Sequence, residues 1–523
     1  MKNSTTAARE EPAHDVKNHP LSLALLVLAS LAATALGATF LATNAGGSWR
    51  EAAAGTVNVR FRLVDGDSGA PMAKVELQVR DQDGTLIGQG TSDTHGTVII
   101  TGLDASATIT ANAAEPKKYV TFPITKAVSA IGDNTVDVPL YRDDQQWLGW
   151  GRSADRRRVG PAAGKPTKKL WTADPQNNME FPPSLAYGLV VYCSYHGFVV
   201  ANDQKTGREV WRGWSGKGKL FPKYASQVAV STWKEDGVRL ARVYYTDLTG
   251  LVGCRDLFTG KVIWERRSGE GPGTGGKAIP FRSFEASPLV RGESVYVCTR
   301  YDKRKGSRAG LWALDRRTGE VRWFQRLART RQTKIGATPA YRGGRIYVAT
   351  YDGYVYALKA TDSAAKRKVY WRRYLGGQFY STPAVTSARI YVGNKSDGRL
   401  YCLMRSNGRL ALVTPRLGPS IHGSPAISDG KVFIGSGKSF YALSARNGRV
   451  VWRQSTKGRV WGSASVLRDV VYYSCYGVTY GRKARTGALV WKKSCGRYSP
   501  VTATRHLIVV TGQQRFTAYA PAN

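Results

Sequence analysis

The chain is short of acidic side chains. Its 523 residues include 77 Lys and Arg but only 37 Asp and Glu, which gives a formal net charge of +40. Residues 143–523 carry the whole excess, with 65 basic and 23 acidic side chains; residues 1–55 have four of each, and residues 56–142 have eight basic and ten acidic. A surface of this sign attracts nucleic acid, anionic lipid or anionic envelope polymers, although a generally basic proteome or a solubility requirement would give the same composition.

Cysteine is also scarce, with six residues that are widely spaced. No two are adjacent and none form a Cys-x-x-Cys pair, so a zinc site is not expected, and we predict neither a metal site nor a cofactor. Cys475 and Cys495 are the nearest pair in sequence and the first candidates for a disulfide. The alternative is that all six are buried free thiols. The six residues are Cys193, Cys254, Cys298, Cys402, Cys475 and Cys495.

Long helical patterns are absent after residue 45, while glycine is abundant at 57 residues. This combination favours an all-β protein with many turns. The exception is LSLALLVLASLAATALGATFLA, residues 21–42, an uncharged run that matches the thickness of a bilayer. We predict a transmembrane signal anchor with residues 1–20 in the cytoplasm and the remainder outside the cell membrane. Cleavage after Gly37, which would release a secreted protein, is the alternative.

Residues 56–142 alternate apolar and polar side chains. TVNVRFRLVD places Val57, Val59 and Phe61 on one face of a strand, and Asp83–Gly84 supplies a hairpin turn further on. Short strands at this spacing predict a β-sandwich. The stretches DSGAPMAKVELQV and GTSDTHGTVIITGL resemble carboxypeptidase-regulatory-like and immunoglobulin-like modules, which implies a spacer or docking domain.

Residues 143–166 are rich in Gly, Pro and Arg, which predicts a linker. Its Trp147 and Trp150 are too apolar for solvent and should pack on the domain that follows. From residue 167 to residue 523 the chain repeats. Several units begin with a small residue and a proline, which is tolerated at the first position of a strand. These steps are Ser287–Pro288, Thr338–Pro339, Thr382–Pro383, Ser424–Pro425 and Ser499–Pro500.

Most of the repeats end on a tryptophan, which is large enough to dock one unit on the next. The positions are Trp171, Trp211, Trp264, Trp323, Trp371, Trp452 and Trp491, with Leu412 in the place of an eighth. Four strands per repeat of this length are typical of a β-propeller blade. Because the repeats end with three strands and begin with one Trp-bearing strand, the two ends should complete one blade. We predict an eight-bladed propeller, with seven blades as the alternative.

The recurring pattern Asp-x-x-Thr-Gly-x-x-x-Trp resembles the repeat of the pyrroloquinoline-quinone-like propeller family. It is complete at residues 203–211, 256–264 and 315–323. Within that family the chain resembles the BamB-like propeller subunits of outer-membrane assembly more than the quinoprotein dehydrogenases, which implies a non-catalytic scaffold. The wider family includes quinoprotein dehydrogenases, which typically use adjacent cysteines over the quinone and acidic and amide ligands for calcium; no cysteines are adjacent here.

Three local features bear on function. GPGTGGKA, residues 271–278, lacks the Ser or Thr of a phosphate-binding loop and is predicted to connect two blades. His196 and His422 lie in turns or strand starts of different repeats, without an identifiable Ser or Cys partner for a hydrolase triad. The hairpin YDKRKGSRAG is the densest basic loop, and it is either solvated or part of a site for an anionic partner. Its cations are Lys303, Arg304, Lys305 and Arg308.

These observations predict a membrane-anchored, extracytoplasmic binding scaffold that is not an enzyme. Its expected partner is a protein or an anionic polymer of the cell envelope. One alternative is an oxidoreductase that uses pyrroloquinoline quinone. The other is extracellular nucleic-acid binding. The sequence lacks the interleaved aromatic residues that would favour it.

Overall fold

The computed structural model describes residues 55–161, 164–175, 179, 181–195, 197–214, 226–267, 284–300, 309–327, 334–496, 498, 501–512 and 514–522. Gly55–Asn523 form one compact unit. Apart from a 3₁₀ turn at Asp143–Gln145, the regular elements of the described residues are all β-strands, which confirms the all-β prediction. The predicted anchor, residues 21–42, lies outside the described residues, and within them no helix is long and apolar enough to cross a membrane.

Residues 56–142 form two four-stranded sheets around one shared core. In the first strand, Val59, Phe61 and Leu63 are buried while the arginines between them are exposed, because successive side chains point to opposite faces. The strands are β1 (Thr56–Asp65), β2 (Glu76–Arg80), β3 (Leu86–Thr91), β4 (Thr97–Asp104), β5 (Thr108–Ala113), β6 (Tyr119–Thr121), β7 (Ile124–Ala127) and β8 (Thr135–Arg142). Their orders are β4-β1-β8-β6 and β3-β2-β5-β7.

Eight further sheets follow in the described residues, and each contains four repeat strands. Sheet 1 has β11 (Ser184–Ala186), β12 (Leu189–Cys193), β13 (Phe198–Asp203) and β14 (Glu209–Trp214). Sheet 2 has β15 (Ala229–Glu235), β16 (Val238–Thr246), β17 (Leu251–Asp256) and β18 (Val262–Arg267). Sheet 3 has β19 (Leu289–Arg291), β20 (Ser294–Thr299), β21 (Gly310–Asp315) and β22 (Val321–Arg326). Sheet 4 has β23 (Ala340–Arg342), β24 (Arg345–Ala349), β25 (Tyr354–Lys359) and β26 (Val369–Tyr374).

The remaining sheets continue the same order. Sheet 5 has β27 (Ala384–Val385), β28 (Arg389–Gly393), β29 (Leu400–Met404) and β30 (Leu410–Val413). Sheet 6 has β31 (Ala426–Ser428), β32 (Lys431–Ser436), β33 (Ser439–Ser444) and β34 (Val450–Ser455). Sheet 7 has β35 (Ser465–Leu467), β36 (Val470–Cys475), β37 (Val478–Lys483) and β38 (Leu489–Lys493), with β9 (Val159–Gly160) parallel to β35. Sheet 8 has β39 (Val501–Ala503), β40 (Ile508–Thr511), β41 (Phe516–Pro521) and β10 (Pro166–Ala173).

Sheet 8 joins the two ends of the repeat region. β10 pairs antiparallel with β41, so a strand from residues 166–173 completes the sheet formed by the last three strands. The inner strand of sheet 1, β11, contacts both β39 of sheet 8 and β15 of sheet 2. The sheets of the propeller therefore follow one another around a central channel, and each sheet runs outward from it.

The two faces of the propeller differ in what they carry. Because the strands of a sheet are antiparallel, the turns between first and second and between third and fourth strands lie on one face, and the other connections lie on the opposite face. The sandwich packs on the first of these, where Phe122 meets Phe258 at 4.7 Å and Tyr187 at 5.1 Å between ring centroids. Glu115 of the sandwich also pairs with Lys234 at 3.0 Å and with Arg239. We call this face the sandwich face and the other the distal face.

Tryptophans on the outer strands bind the next sheet. In six of them the indole Nε1 donates to a backbone carbonyl of the next sheet, in the turn between the third and fourth strands of that sheet. The pairs are Trp171–Gln204 at 2.9 Å, Trp211–Leu257 at 2.8 Å, Trp264–Arg316 at 3.1 Å, Trp323–Thr361 at 2.8 Å, Trp371–Arg405 at 3.3 Å and Trp452–Ala484 at 3.1 Å. Leu412 takes the same position against Gly448, and Trp491 meets Tyr519 of sheet 8 at 6.1 Å.

The Thr-Gly step of the repeat serves this contact directly. A Cβ atom on Gly207 would lie 2.6 Å from the indole of Trp171, and one on Gly260 would lie 2.6 Å from that of Trp211. Both glycines also have positive φ angles, 73° and 70°, which glycine adopts without steric cost. The repeat pattern therefore links a turn in one sheet to the tryptophan of the sheet before it.

Cys475 and Cys495, the first candidates for a disulfide, are free thiols in the structure, which is the alternative considered for all six cysteines. Cys475 packs in the core between sheets 6 and 7. Cys495 packs instead against the core that includes sheet 8, where a Cβ atom on Gly512 would lie 3.4 Å from the Cys495 Cβ. The Cys475 thiol instead donates to the Gly458 carbonyl at 3.1 Å.

A buried carboxyl group lies where the sandwich meets the propeller. Asp67 accepts from the Gln146 amide at 3.3 Å, and burial, reinforced by Asp65, raises the pKa of Asp67 to about 6. In the unfolded chain this group ionises near its ordinary value of 3.8, so folding costs increasingly more as the pH rises from about 4 to about 6.

Asp67→Asn should therefore stabilise the protein above pH 6 by about 1–3 kcal/mol and by much less at pH 4. Urea unfolding of both proteins at pH 4, 5 and 7 measures this difference. Asp83→Asn, in an exposed hairpin turn of the sandwich, is the control and should give no gain that grows with pH. An equal effect of Asp67→Asn at all three pH values would contradict the expectation.

Candidate functional site: the plugged channel and its distal groove

The segment predicted as a linker fills the channel from the sandwich face. Six inner-strand N–H groups, from sheets 1, 2, 4, 5, 6 and 7, donate to its backbone carbonyls. The pairs are Leu185–Trp147, Val230–Leu148, Tyr341–Ala154, Val385–Asp155, Ile427–Arg157 and Val466–Arg158. β9 then continues along β35. Residues 147–160 are thus a plug that binds the inner strands around the channel, and we call them the channel plug.

Two arginines and a tryptophan form the centre of the channel plug. Arg156 donates to the carbonyls of Pro339 and Trp150, and Arg158 donates to that of Ala464. The Arg158 guanidinium lies 4.6 Å from the Trp150 ring centroid. Burial lowers the pKa of both guanidinium groups to about 9, so both remain charged at pH 7. Both residues have positive φ angles, 60° and 61°, a strained conformation that the surrounding contacts must hold.

A belt of hydroxyl groups follows the channel from sheet 2 to sheet 7 on the distal side of the channel plug. In sheets 3 to 7, a Ser or Thr just before the inner strand accepts a hydrogen bond from the backbone N–H at the same position of the preceding sheet. The next residue is proline in sheets 3 to 6 and Ala464 in sheet 7. The pairs are Gln227–Ser287 at 2.9 Å, Ser287–Thr338 at 3.1 Å, Thr338–Thr382 at 3.0 Å, Thr382–Ser424 at 3.0 Å and Ser424–Ser463 at 2.8 Å. Thr382 also accepts from the indole Nε1 of Trp150 at 3.2 Å, which joins the belt to the channel plug.

The residues two positions before these hydroxyls surround a cavity of about 310 Å³ at the distal end of the channel. They differ chemically from sheet to sheet, whereas the residues one position further back are buried and apolar in every case, as at Phe379 and Ile421. The five residues facing the cavity are Glu285, Gly336, Tyr380, His422 and Trp461. Trp150 and Phe181, with ring centroids 5.3 Å apart, line its inner end.

The cavity continues outward over sheet 7. Trp461 and Tyr498 also line a neighbouring depression of about 550 Å³, together with Arg459 and Tyr476. Trp461 is 43% exposed and Tyr476 is 83% exposed, which is unusual for side chains of this size. We call the two connected depressions the distal groove.

The distal groove is electropositive. Lys395 lies 5.0 Å from the ring centroid of Tyr351 and donates to its hydroxyl at 2.7 Å, while Arg459 lies 6.0 Å from the Trp461 ring. Burial, together with the charges of Lys395 and Arg459, lowers the pKa of the His422 imidazole to about 4. His422 is therefore neutral at pH 7, and its ring lies 4.8 Å from that of Trp461.

The donor set of the groove does not fit a hard cation. Glu285 is the single carboxylate among the described residues that line it, and it accepts from Arg300 at 2.7 Å and from Tyr380 at 3.1 Å. Calcium takes six to eight oxygen ligands. The described part of the chain contains no group of three or more His, Cys, Asp or Glu that could hold a metal ion. Within the described residues, the distal groove therefore offers no ligand set suited to calcium.

The predicted site residues fall in different places. His422 lies in the distal groove, whereas His196 and the basic loop with Lys303, Arg304, Lys305 and Arg308 lie outside the described residues. Sequence reasoning missed Tyr380, Trp461 and Glu285. Counting two residues back from the Ser287–Pro288 and Thr382–Pro383 steps would have found Glu285 and Tyr380.

The repeat region also matches a known family along its whole length. A family model described as "Outer membrane protein assembly factor BamB" matches residues 161–309 and 307–523. The chain belongs to this BamB family. The matched residues contain the eight propeller sheets apart from β9, and the sandwich lies outside the match.

Individual relatives of this BamB-family chain have different names. It is 27% identical over 312 residues to a tetrathionate hydrolase of Acidithiobacillus ferrooxidans, covering 49% of this chain and 58% of the relative. It is 26% identical over 234 residues to an outer membrane protein assembly factor BamB of Yersinia pestis, covering 40% and 56%. The match thus spans less than three fifths of either relative. A quinohemoprotein alcohol dehydrogenase from Comamonas testosteroni superposes with a TM-score of 0.59 at 12% identity, covering 72% of this chain and 80% of that one, a likeness of fold.

Proposed function

We propose that this chain is a membrane-anchored, extracytoplasmic binding scaffold without catalytic activity. Residues 21–42 would hold it in the membrane, and the eight sheets would form a closed, eight-bladed ring. Its distal face would bind a protein or an anionic polymer of the cell envelope. The channel plug carries the proposal: it binds the inner strands on the side of the sandwich and leaves the distal groove as a concave surface at the opposite end of the channel. Membership of the BamB family and the basic composition support it.

Site-specific cross-linking in the protein's own cells tests this proposal. A photo-reactive amino acid replaces Tyr476 at the distal groove or, as a matched control, Lys261 in an exposed turn on the sandwich face. We expect partner cross-links from position 476 and few from position 261. Partner cross-links confined to position 261 would contradict the assignment of the binding face.

An enzymatic function is the second candidate, favoured by the tetrathionate hydrolase relative and by an axial cavity that holds a neutral imidazole between two cations. Turnover of tetrathionate, and dye reduction after addition of pyrroloquinoline quinone and calcium, test it on the full chain and on His422→Gln. Turnover by the full chain that is lost in the variant would replace the scaffold proposal. Absence of turnover under both conditions is the result expected for a scaffold.

A further inference from the structure

The distal groove has an unusual lining. Its described lining consists mostly of aromatic, hydroxyl-bearing and glycine residues, with the cations Lys395 and Arg459, the carboxylate of Glu285 and the thiol of Cys495. It includes no Leu, Ile, Val, Met or Ala. An amphipathic helix ordinarily docks in a hydrophobic groove, whereas a proline-rich segment docks in an aromatic-lined one. The lining therefore favours a ligand whose faces stack on aromatic rings, and the cations beside those rings favour an anionic ligand over a neutral proline-rich peptide.

The aromatic rings follow one path from the channel axis to the rim. Tyr380 and His422 have ring centroids 6.4 Å apart, and His422 and Trp461 are 4.8 Å apart. Tyr476 extends this row over sheet 7, where its side chain leans on Gly458; a Cβ atom on that glycine would lie 2.8 Å from the Tyr476 Cβ. Tyr380, Trp461 and Tyr476 are all exposed, at 38%, 43% and 83%. Such rings present apolar faces with polar edges.

Sugar rings match this surface. A pyranose has an apolar C–H face that stacks on an aromatic ring, and hydroxyl groups around its edge that exchange hydrogen bonds. The hydroxyls of Thr338, Thr382 and Ser424 at the inner end of the groove supply partners of that kind. Lys395 and Arg459 add positive charge beside the aromatic row, and Glu285, which already accepts from Arg300, is the only described carboxylate nearby.

We propose that the distal groove binds an acidic glycan chain, with its sugar rings on Trp461, Tyr476 and Tyr380 and its carboxylates at Lys395 and Arg459. This inference rests on the proposed scaffold function and names the chemistry of its partner. A single-stranded nucleic acid also uses aromatic and cationic groups, but it needs cations that follow its phosphates along the strand. The described groove offers two, Lys395 and Arg459, while the hydroxyls that line its inner end match a polyhydroxylated ligand.

Binding of four defined probes to the full chain tests the proposal by calorimetry. They are a hexamer of galacturonic acid, its methyl ester, a polyglutamate peptide and an oligothymidylate. We expect the hexamer to bind tightest and the ester, which keeps the rings without the charges, to bind more weakly. Tighter binding of polyglutamate or oligothymidylate, lost in Trp461→Ala, would overturn the proposal in favour of a protein or nucleic-acid partner.

Matched variants separate stacking from charge. Trp461→Ala should weaken the hexamer and its ester alike by about tenfold, whereas Trp214→Ala, 46% exposed on the outer strand of sheet 1, should change neither. Lys395→Ala should weaken the hexamer but not the ester, and Lys261→Ala should have no effect. Thermal melting checks that each variant is folded. Unchanged hexamer affinity in folded Trp461→Ala would refute the glycan site, while cross-links from position 476 would still support a scaffold with a different partner.

Discussion

Trp323→Ala is expected to lower the free energy of unfolding by about 3–5 kcal/mol. Trp323 is fully buried, packs with Tyr296 at 5.8 Å between ring centroids, and donates to the Thr361 carbonyl of sheet 4 at 2.8 Å. Alanine would leave a cavity between sheets 3 and 4 and remove one of the two donors to the Thr361 carbonyl, the other being the Tyr296 hydroxyl at 3.2 Å. Denaturant unfolding followed by circular dichroism measures the change.

Trp214→Ala is the matched control for this prediction. Its side chain is 46% exposed at the end of β14, so the same chemical change should cost less than about 1 kcal/mol. Trp323→Phe, which keeps most of the ring volume but loses the Nε1 donor, should fall between the two. Equal losses for Trp323→Ala and Trp214→Ala would show that the outer-strand tryptophan does not hold neighbouring sheets together.

Thr382→Val is expected to lower the free energy of unfolding by about 2–5 kcal/mol, although the two side chains have nearly the same shape. The Thr382 hydroxyl accepts from the Thr338 N–H at 3.0 Å and from the Trp150 indole at 3.2 Å. Valine would leave both buried donors without a partner, at a cost of about 1–3 kcal/mol each. Unfolding by denaturant measures the total, and near-ultraviolet circular dichroism should report the change around Trp150.

Thr382→Ser keeps the hydroxyl and provides the control. It should cost less than about 1.5 kcal/mol, since it removes only a methyl group. If Thr382→Ser lowered the free energy of unfolding as much as Thr382→Val, the loss would come from packing rather than from the hydroxyl group. The hydroxyl belt would then not be a cause of the link between the channel plug and sheets 4 and 5.

Much of the architecture could be predicted because local chemistry repeats at every sheet. The pattern that includes Gly319 and Trp323 encodes a turn and an outer strand within one repeat, so its meaning does not depend on distant residues. The alternation of Val59 and Phe61 likewise predicts a half-buried strand. What the pattern could not supply is the partner of each tryptophan, which lies in the turn of the next sheet.

The site was harder to predict because it is assembled across repeats. Tyr380, His422 and Trp461 are about 40 residues apart in sequence and meet only when the sheets surround the channel. Arg156 and Arg158 lie in a segment whose composition predicts a solvated linker. They are nevertheless buried, because backbone carbonyls just before the inner strands of sheets 4 and 7 accept their hydrogen bonds. The cysteine pair failed for a similar reason, since closeness in sequence does not reveal that Cys475 packs between sheets 6 and 7 while Cys495 packs against sheet 8.

Hydroxyl-radical footprinting of the protein in its own membranes, compared with the purified chain, tests the central claim most directly. The claim is that the distal groove is the binding surface, whatever the partner. It predicts reduced oxidation of Trp461 and Tyr476 in the membranes and unchanged oxidation of Trp214, which is similarly exposed to Trp461 but lies on sheet 1. Equal oxidation of Trp461 and Tyr476 in both preparations would contradict it.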